Sequence, residues 1–241
     1  THRYGTVNAL PNSAGYTKQP PTVGWLFTAE SEGAFAAVCD LYRQESQIRE
    51  LCKAYEERLN EHLSQTEQPA ISLNEVLTNQ SSGVLTDELV LYLLQSSIAQ
   101  LWLNWGVQPD GVLGFGVGQL TASCVAGGLC FKDALILVYE RKQGADSNPQ
   151  AADAFEAIAD QFNYYPPNLP LICGITGQAV PIHRSLGGSY WREQIKETPQ
   201  VTDAMQAFFA LNFDLVWQIG PALPADSMEA KASKTFTPES L

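Results

Sequence analysis

The sequence predicts an α/β fold with a mostly parallel sheet covered on both faces. Three observations predict it. Short apolar runs, VGWLFT, GVLGF, LPLIC and LVWQIG, have the length and composition of buried strands. Longer segments with apolar residues at helical spacing separate them, and strands alternating with helices imply parallel pairing. The chain of 241 residues is 45% hydrophobic and 17% charged, which suits a packed core rather than disorder. No internal repeat is present.

In order along the chain, Val23 to Thr28 reads as the first strand and Glu32 to Leu41 as a short helix. Ser46 caps a longer helix, with Ile48, Leu51, Tyr55, Leu59 and Leu63 on one face. Ser64 to Ser82 is polar and reads as loop. Thr86 followed by Asp87 and Glu88 is a helix start, with acid at the positive end of the dipole. Val90, Leu94, Ile98, Leu101 and Trp105 form its stripe, and Gly106 to Asp110 stops it. Gly111 to Phe115 is a strand, followed by helices from Val117 to Ala126 and from Lys132 to Lys142. A loop, Gly144 to Gln150, leads to a helix from Ala151 to Phe162 that faces inward through Phe155, Ile158 and Phe162. Pro166 and Pro167 break the chain before the strand in LPLICGITG. Helices from Trp191 to Ile195 and Val201 to Leu211 precede a last strand, Leu215 to Gly220, ended by Pro221. Residues 1–22 and 222–241 are rich in turn-forming and polar residues and read as linkers around one domain, 23–221. With no starting methionine, this reads as a domain cut from a longer polypeptide.

The formal net charge is −12, from 26 acidic and 14 basic residues. That charge repels a phosphate backbone and an anionic membrane surface, so neither nucleic acid nor membrane is an expected partner. No apolar run is long enough for a transmembrane span. Cys39, Cys52, Cys124, Cys130 and Cys173 lack metal-site spacing and read as buried free thiols in a reducing cytoplasm. No cofactor or metal is expected.

One stretch carries chemistry in outline. Gly111 to Gly128, GVLGFGVGQLTASCVAGG, is an apolar strand, a glycine-rich turn and a small-residue helix. This is the pattern of a nucleophile elbow, whose middle residue is a serine. Here the turn is Gly114-Phe115-Gly116-Val117-Gly118, and its middle residue is glycine.

With that stretch in place, the chain from about Trp25 to about Pro221 resembles the acyltransferase domains of modular polyketide and fatty acid synthases. WLFTAESEGAF stands at the family's opening strand and turn, and LWLNWGVQPDGVLGFGVGQLTASCVAGGLCFKDALILVYERKQ at its elbow and following helices. PPNLPLICGITGQ and YWREQIKETPQVTDAMQAFFALNFDLVWQIGP match its later strand and C-terminal segments. The resemblance implies a three-layer, hydrolase-like core. It also implies a mechanism: an elbow serine takes the acyl group, a distant histidine takes its proton, an opening-turn glutamine helps form the oxyanion hole, and an arginine holds the malonyl carboxylate.

The departures fall on that mechanism. Gly116 stands at the serine position and Phe115 at the histidine that usually precedes it. The opening turn, Ala29-Glu30-Ser31-Glu32-Gly33, lacks the glutamine, leaving Gly33 as a vestigial oxyanion position. Between Arg141 and Phe155 the family inserts a ferredoxin-like small subdomain with its catalytic histidine; here a short loop without histidine joins them. The histidines are His2, His62 and His183, all elsewhere, and only Arg141 keeps its matching place. Ser123 and Cys124 are candidate substitute nucleophiles, against the burial of a helix interior, and His183 with Asp203 or Glu193 is a candidate relay without supporting spacing.

The expectation is therefore a truncated pseudo-acyltransferase domain with a structural or docking role in a polyketide or polyunsaturated-fatty-acid-type synthase. Its partners are neighbouring domains of that synthase and a second copy of the chain. An acyl carrier protein is a further candidate, although such proteins are usually acidic and repelled at low salt. Two alternatives stand beside it: an active transferase or hydrolase with an unexpected nucleophile, and an acyl- or carrier-binding module centred on Arg141. Losing the subdomain should also leave apolar surface near Ala151 to Phe162 and Leu169 to Ile175, closed by the loop or covered by a second copy.

Overall fold

The computed structural model describes residues 20–80, 85–144 and 149–221. The two linkers therefore lie outside the described residues, apart from residues 20–22. Thr22 is tied to the body of the domain: its backbone N–H donates to Asp214 Oδ2 at 2.8 Å.

The sheet has the order β4-β3-β2-β1-β5. β1 (Val23–Phe27) lies between β2 (Gly111–Gly114), the central strand, and β5 (Leu215–Ile219) at the edge, both parallel to it. β3 (Leu171–Cys173) continues the parallel set beyond β2. β4 (Gln178–Ala179) returns antiparallel at the edge, a strand the sequence did not announce.

Alternation along the strands divides the core between two helical layers. Trp25, Phe27 and Val112 face the larger layer, in one cluster with residues of α4 (Asp87–Asn104), α5 (Val117–Val125) and α6 (Phe131–Gly144). Leu26, Leu113 and Ile172 face the smaller layer, where Val201, Ala204, Met205 and Phe208 of α9 (Val201–Phe209) cover them. The three-layer arrangement matches the expectation.

The outer helices are α1 (Ala34–Gln44), α2 (Ser46–Gln65), α3 (Leu73–Asn79), α7 (Pro149–Ala159) and α8 (Gly188–Lys196). α2 places Ile48, Tyr55, Leu59 and Leu63 inward as its periodicity predicts, but Ser46 is not its cap; Glu45 precedes the helix and no side chain caps it. α3 corrects the loop reading of Ser64 to Ser82: Ser72 caps it by accepting from the Glu75 N–H, and Leu73, Val76 and Leu77 are buried. Thr86 caps α4 as predicted, its Oγ1 accepting from the Leu89 N–H at 3.1 Å.

α4 differs from the predicted stripe. It is buried on most sides, through Leu89, Leu91, Tyr92, Leu93, Gln95, Ser96 and Ser97 as well as Val90 and Leu94, because it runs inside the larger layer. Trp105, assigned to the stripe, lies past the helix end and is 58% exposed. Four cysteines are buried free thiols as expected, but Cys130 is exposed at the start of α6.

The α6–α7 junction is short. Only residues 145–148 separate the two helices. α7 buries Ala152, Phe155 and Ala159, and α8 is fastened to it where Arg192 NH1 donates to Glu156 Oε2 at 2.7 Å and the Gly188 N–H to Asp160 Oδ1 at 2.8 Å. β3 is buried along its length.

Candidate functional site

The C-terminal ends of β1 and β2 lead to the turn before α5, the place where open α/β sheets carry their sites. Phe115 N–H donates to Phe27 O at 3.0 Å, binding the turn to β1. The Gly118 N–H then donates to Phe115 O at 2.8 Å, which starts the helix.

Gly114 and Gly118 are demanded by packing. A Cβ on Gly114 would lie 2.1 Å from Gly118 O, and one on Gly118 would lie 2.4 Å from Phe27 O. Both neighbours are backbone, so neither can step aside. Gly116 is demanded by neither packing nor space. Its φ of 55° and ψ of −122° form a strained turn for any residue with a side chain, yet a Cβ there would meet only Ala29 Cβ, at an ordinary 3.4 Å. The turn thus has the shape of a nucleophile elbow, with room for a side chain at its apex and none present.

The neighbouring positions do other work. Phe115 is 1% exposed and belongs to the α9-side core with Leu113 and Phe208, so its ring packs rather than facing a substrate. Gly33 opens α1 at φ 80° with open space around it, and Ala29 is the opening-turn residue that borders position 116. Arg141 lies near the end of α6 with its side chain 16% exposed, and its Nε is 3.5 Å from Glu88 Oε1 in the first turn of α4. The carboxylate at Arg141 is the chain's own.

The substitute nucleophiles are buried away from the turn apex. Ser123 is fully buried and its Oγ donates to Gln119 O at 2.8 Å within α5. Cys124 is 5% exposed, and burial pushes its thiol well above the ordinary value. A thiol held in its protonated form is a poor nucleophile. His183 is exposed, and among the described residues no ion pair joins it to Asp203 or Glu193. His62 meets Glu140 Oε1 at 2.6 Å across the α2–α6 contact. His2 lies outside the described residues.

Sequence reasoning missed Gln95. Its Nε2 donates to Thr28 O at 2.8 Å and Ile219 O at 3.2 Å, and its Oε1 accepts from Thr121 Oγ1 at 3.3 Å. One fully buried side chain therefore ties β1, β5 and α5 together beside the elbow. Sequence reasoning also missed two cavities. A groove of about 490 Å³ at the β5 edge is lined by Trp102, Trp105, Val107, Val216 and Trp217. A smaller cavity, about 190 Å³, lies beyond β3 around Cys173 and Tyr190.

No protein-family model matches the chain. Its sequence is similar to stretches of polyketide synthases. It is 30% identical over 125 residues to the conidial pigment polyketide synthase PfmaE of Pestalotiopsis fici, covering 52% of this chain and 6% of that protein. It is 39% identical over 66 residues to the non-reducing polyketide synthase tpeB of Talaromyces stipitatus, covering 27% of this chain and 3% of that one. The chain thus spans only a small fraction of the length of these curated relatives. Among solved structures, the acyl transferase domain of ZmaA superposes with a TM-score of 0.70 at 17% identity, over 92% of this chain and 68% of that one. MCAT from Streptococcus pneumoniae gives a TM-score of 0.70 at 14% identity, over 91% and 94% of the two chains. The fold is that of acyltransferase domains, and the sequence likeness is to polyketide synthases.

Proposed function

We propose that this chain is a non-catalytic, acyltransferase-like domain of a multidomain polyketide or polyunsaturated-fatty-acid-type synthase, with a structural role among neighbouring domains. The observation that carries the reading is Gly116: the elbow keeps its turn and its two flanking glycines but has no atom able to accept an acyl group. Removing a nucleophile or its base costs about 10⁴- to 10⁶-fold in well-studied hydrolases. Further support comes from Phe115, which serves the core, and from the direct α6–α7 junction where acyltransferases carry the small subdomain. In this reading residues 23–221 are a truncated domain between linkers.

The same features weigh against the alternatives. Ser123 and Cys124 are buried and hydrogen-bonded or protonated, which disfavours an unexpected nucleophile there. Arg141 already faces Glu88, which disfavours a module built to hold an acyl carboxylate. For the structural role, the aromatic groove at the β5 edge is the surface we assign to a neighbouring domain of the same synthase. Trp105 at 58% exposed and Leu215 at 47% stand at or beside it, and large exposed apolar side chains mark interaction sites.

Intact-mass measurement after incubation with malonyl-CoA and with acetyl-CoA tests the reading. No added mass is expected from either donor. A stoichiometric acyl adduct overturns the non-catalytic assignment, and its position names the nucleophile.

A further inference from the structure

Cys173 ends β3 directly beside the elbow strand, in register with Gly114. Its side chain lines the cavity of about 190 Å³, together with Thr176, Arg184, Tyr190 and Gln194. Gln178, Ala179, Pro181 and Arg184 on the cavity wall are exposed, so the cavity reaches solvent although the cysteine itself is 4% exposed. At about 30 Å³ for each water, the space suits a molecule of a few heavy atoms.

The groups around the sulfur are donors. Gln194 Nε2 donates to Cys173 Sγ at 3.4 Å. Tyr190, 6% exposed, also lines the cavity, and its buried hydroxyl meets full hydrogen-bond geometry with no protein atom. Burial is the largest influence on the Cys173 thiol and pushes it up. The Tyr190 hydroxyl beside it, the Thr176 backbone and hydroxyl and the Ile175 N–H together outweigh burial, and the thiol titrates below its ordinary value. The other buried cysteines go the opposite way: burial raises Cys39 and Cys124, and takes Cys52 to about 12.

We infer that this cavity is an oxidation site, in which Cys173 takes up one oxygen from a small hydroperoxide. The Cys173 sulfur attacks the terminal peroxide oxygen, an S–O bond forms and the O–O bond breaks. Sulfur is oxidised by two electrons to a sulfenic acid and the peroxide is reduced to water or an alcohol. The proton that leaves the thiol ends on the departing oxygen. The Tyr190 hydroxyl that acts on the sulfur stands beside the reacting atoms as charge develops, and the Arg184 cation acts on Tyr190 from the cavity wall. The size of the cavity favours a compact oxidant over a thioester carried on a long arm.

The test is limited oxidation with hydrogen peroxide, trapping with dimedone and peptide mapping by mass spectrometry. Cys130, which is exposed, is the internal comparator. Dimedone should appear on Cys173 several-fold faster than on Cys130, with a pH midpoint below 9.0, and several-fold faster in the native chain than in urea. Tyr190→Phe keeps the ring in place and should slow labelling of Cys173 alone. Labelling of Cys130 with Cys173 silent, or equal Cys173 rates in the native and unfolded chains, overturns the inference.

Discussion

Adding one methyl group at each glycine of the elbow, in separate variants, distinguishes packing from backbone strain. In Gly118→Ala the new Cβ falls 2.4 Å from Phe27 O, and in Gly114→Ala it falls 2.1 Å from Gly118 O. Real Cβ atoms essentially never come within 3.0 Å of such neighbours, so α5 has to shift against β1. Overpacking of this kind reaches about 3 kcal/mol or more. Gly116→Ala meets no clash and bears only the cost of a side chain at φ 55° and ψ −122°, about 1–3 kcal/mol. For a domain of this size each kcal/mol moves the melting temperature by about 2–4 °C. The outer variants should therefore melt about 6–12 °C or more below the parent, and Gly116→Ala about 2–12 °C below it, no further than the outer variants. Thermal unfolding followed by circular dichroism reads all of them under one buffer. A Gly118→Ala protein as stable as the parent, or less perturbed than Gly116→Ala, refutes the geometry assigned to the turn.

Two further substitutions probe the parts around it. Gln95→Leu removes the donor shared by Thr28 O and Ile219 O and should cost about 1–3 kcal/mol in urea unfolding; an unchanged midpoint shows that these carbonyls find other partners. Trp105→Glu leaves the core untouched, so the melting temperature should hold within a few degrees while binding to the adjacent synthase domain weakens about tenfold or more. Unchanged binding by calorimetry removes the groove as the docking face.

What could be read from the sequence was local. The elbow was legible because its glycines fall within five consecutive residues and Gly114 packs on Gly118 itself, although the approach of Gly118 to Phe27 O was not. Strand–helix alternation was legible for the same reason. α3 was passed over because its segment is polar, although Ser72 and Glu75 carry the spacing of an N-terminal cap. The Trp105 error came from extending a helical period past the end of the helix, where the ring faces a groove instead of the core. Gly33 was placed by analogy along the chain; in the fold it opens α1, and Ala29 is the opening-turn residue beside position 116. The pairing of Arg141 with Glu88, and the donors around Cys173, join residues far apart in sequence and needed the folded chain to be seen.

The vacant apex of the elbow also makes position 116 an addressable socket. It sits at the first turn of α5, is only partly buried, and is spared the steric demand imposed on the glycines around it. A cysteine installed there would have its thiolate favoured by the helix dipole, ready for a spectroscopic tag or an artificial prosthetic arm. In the proposed reading, the elbow offers a rigid mount for chemistry of the experimenter's choosing.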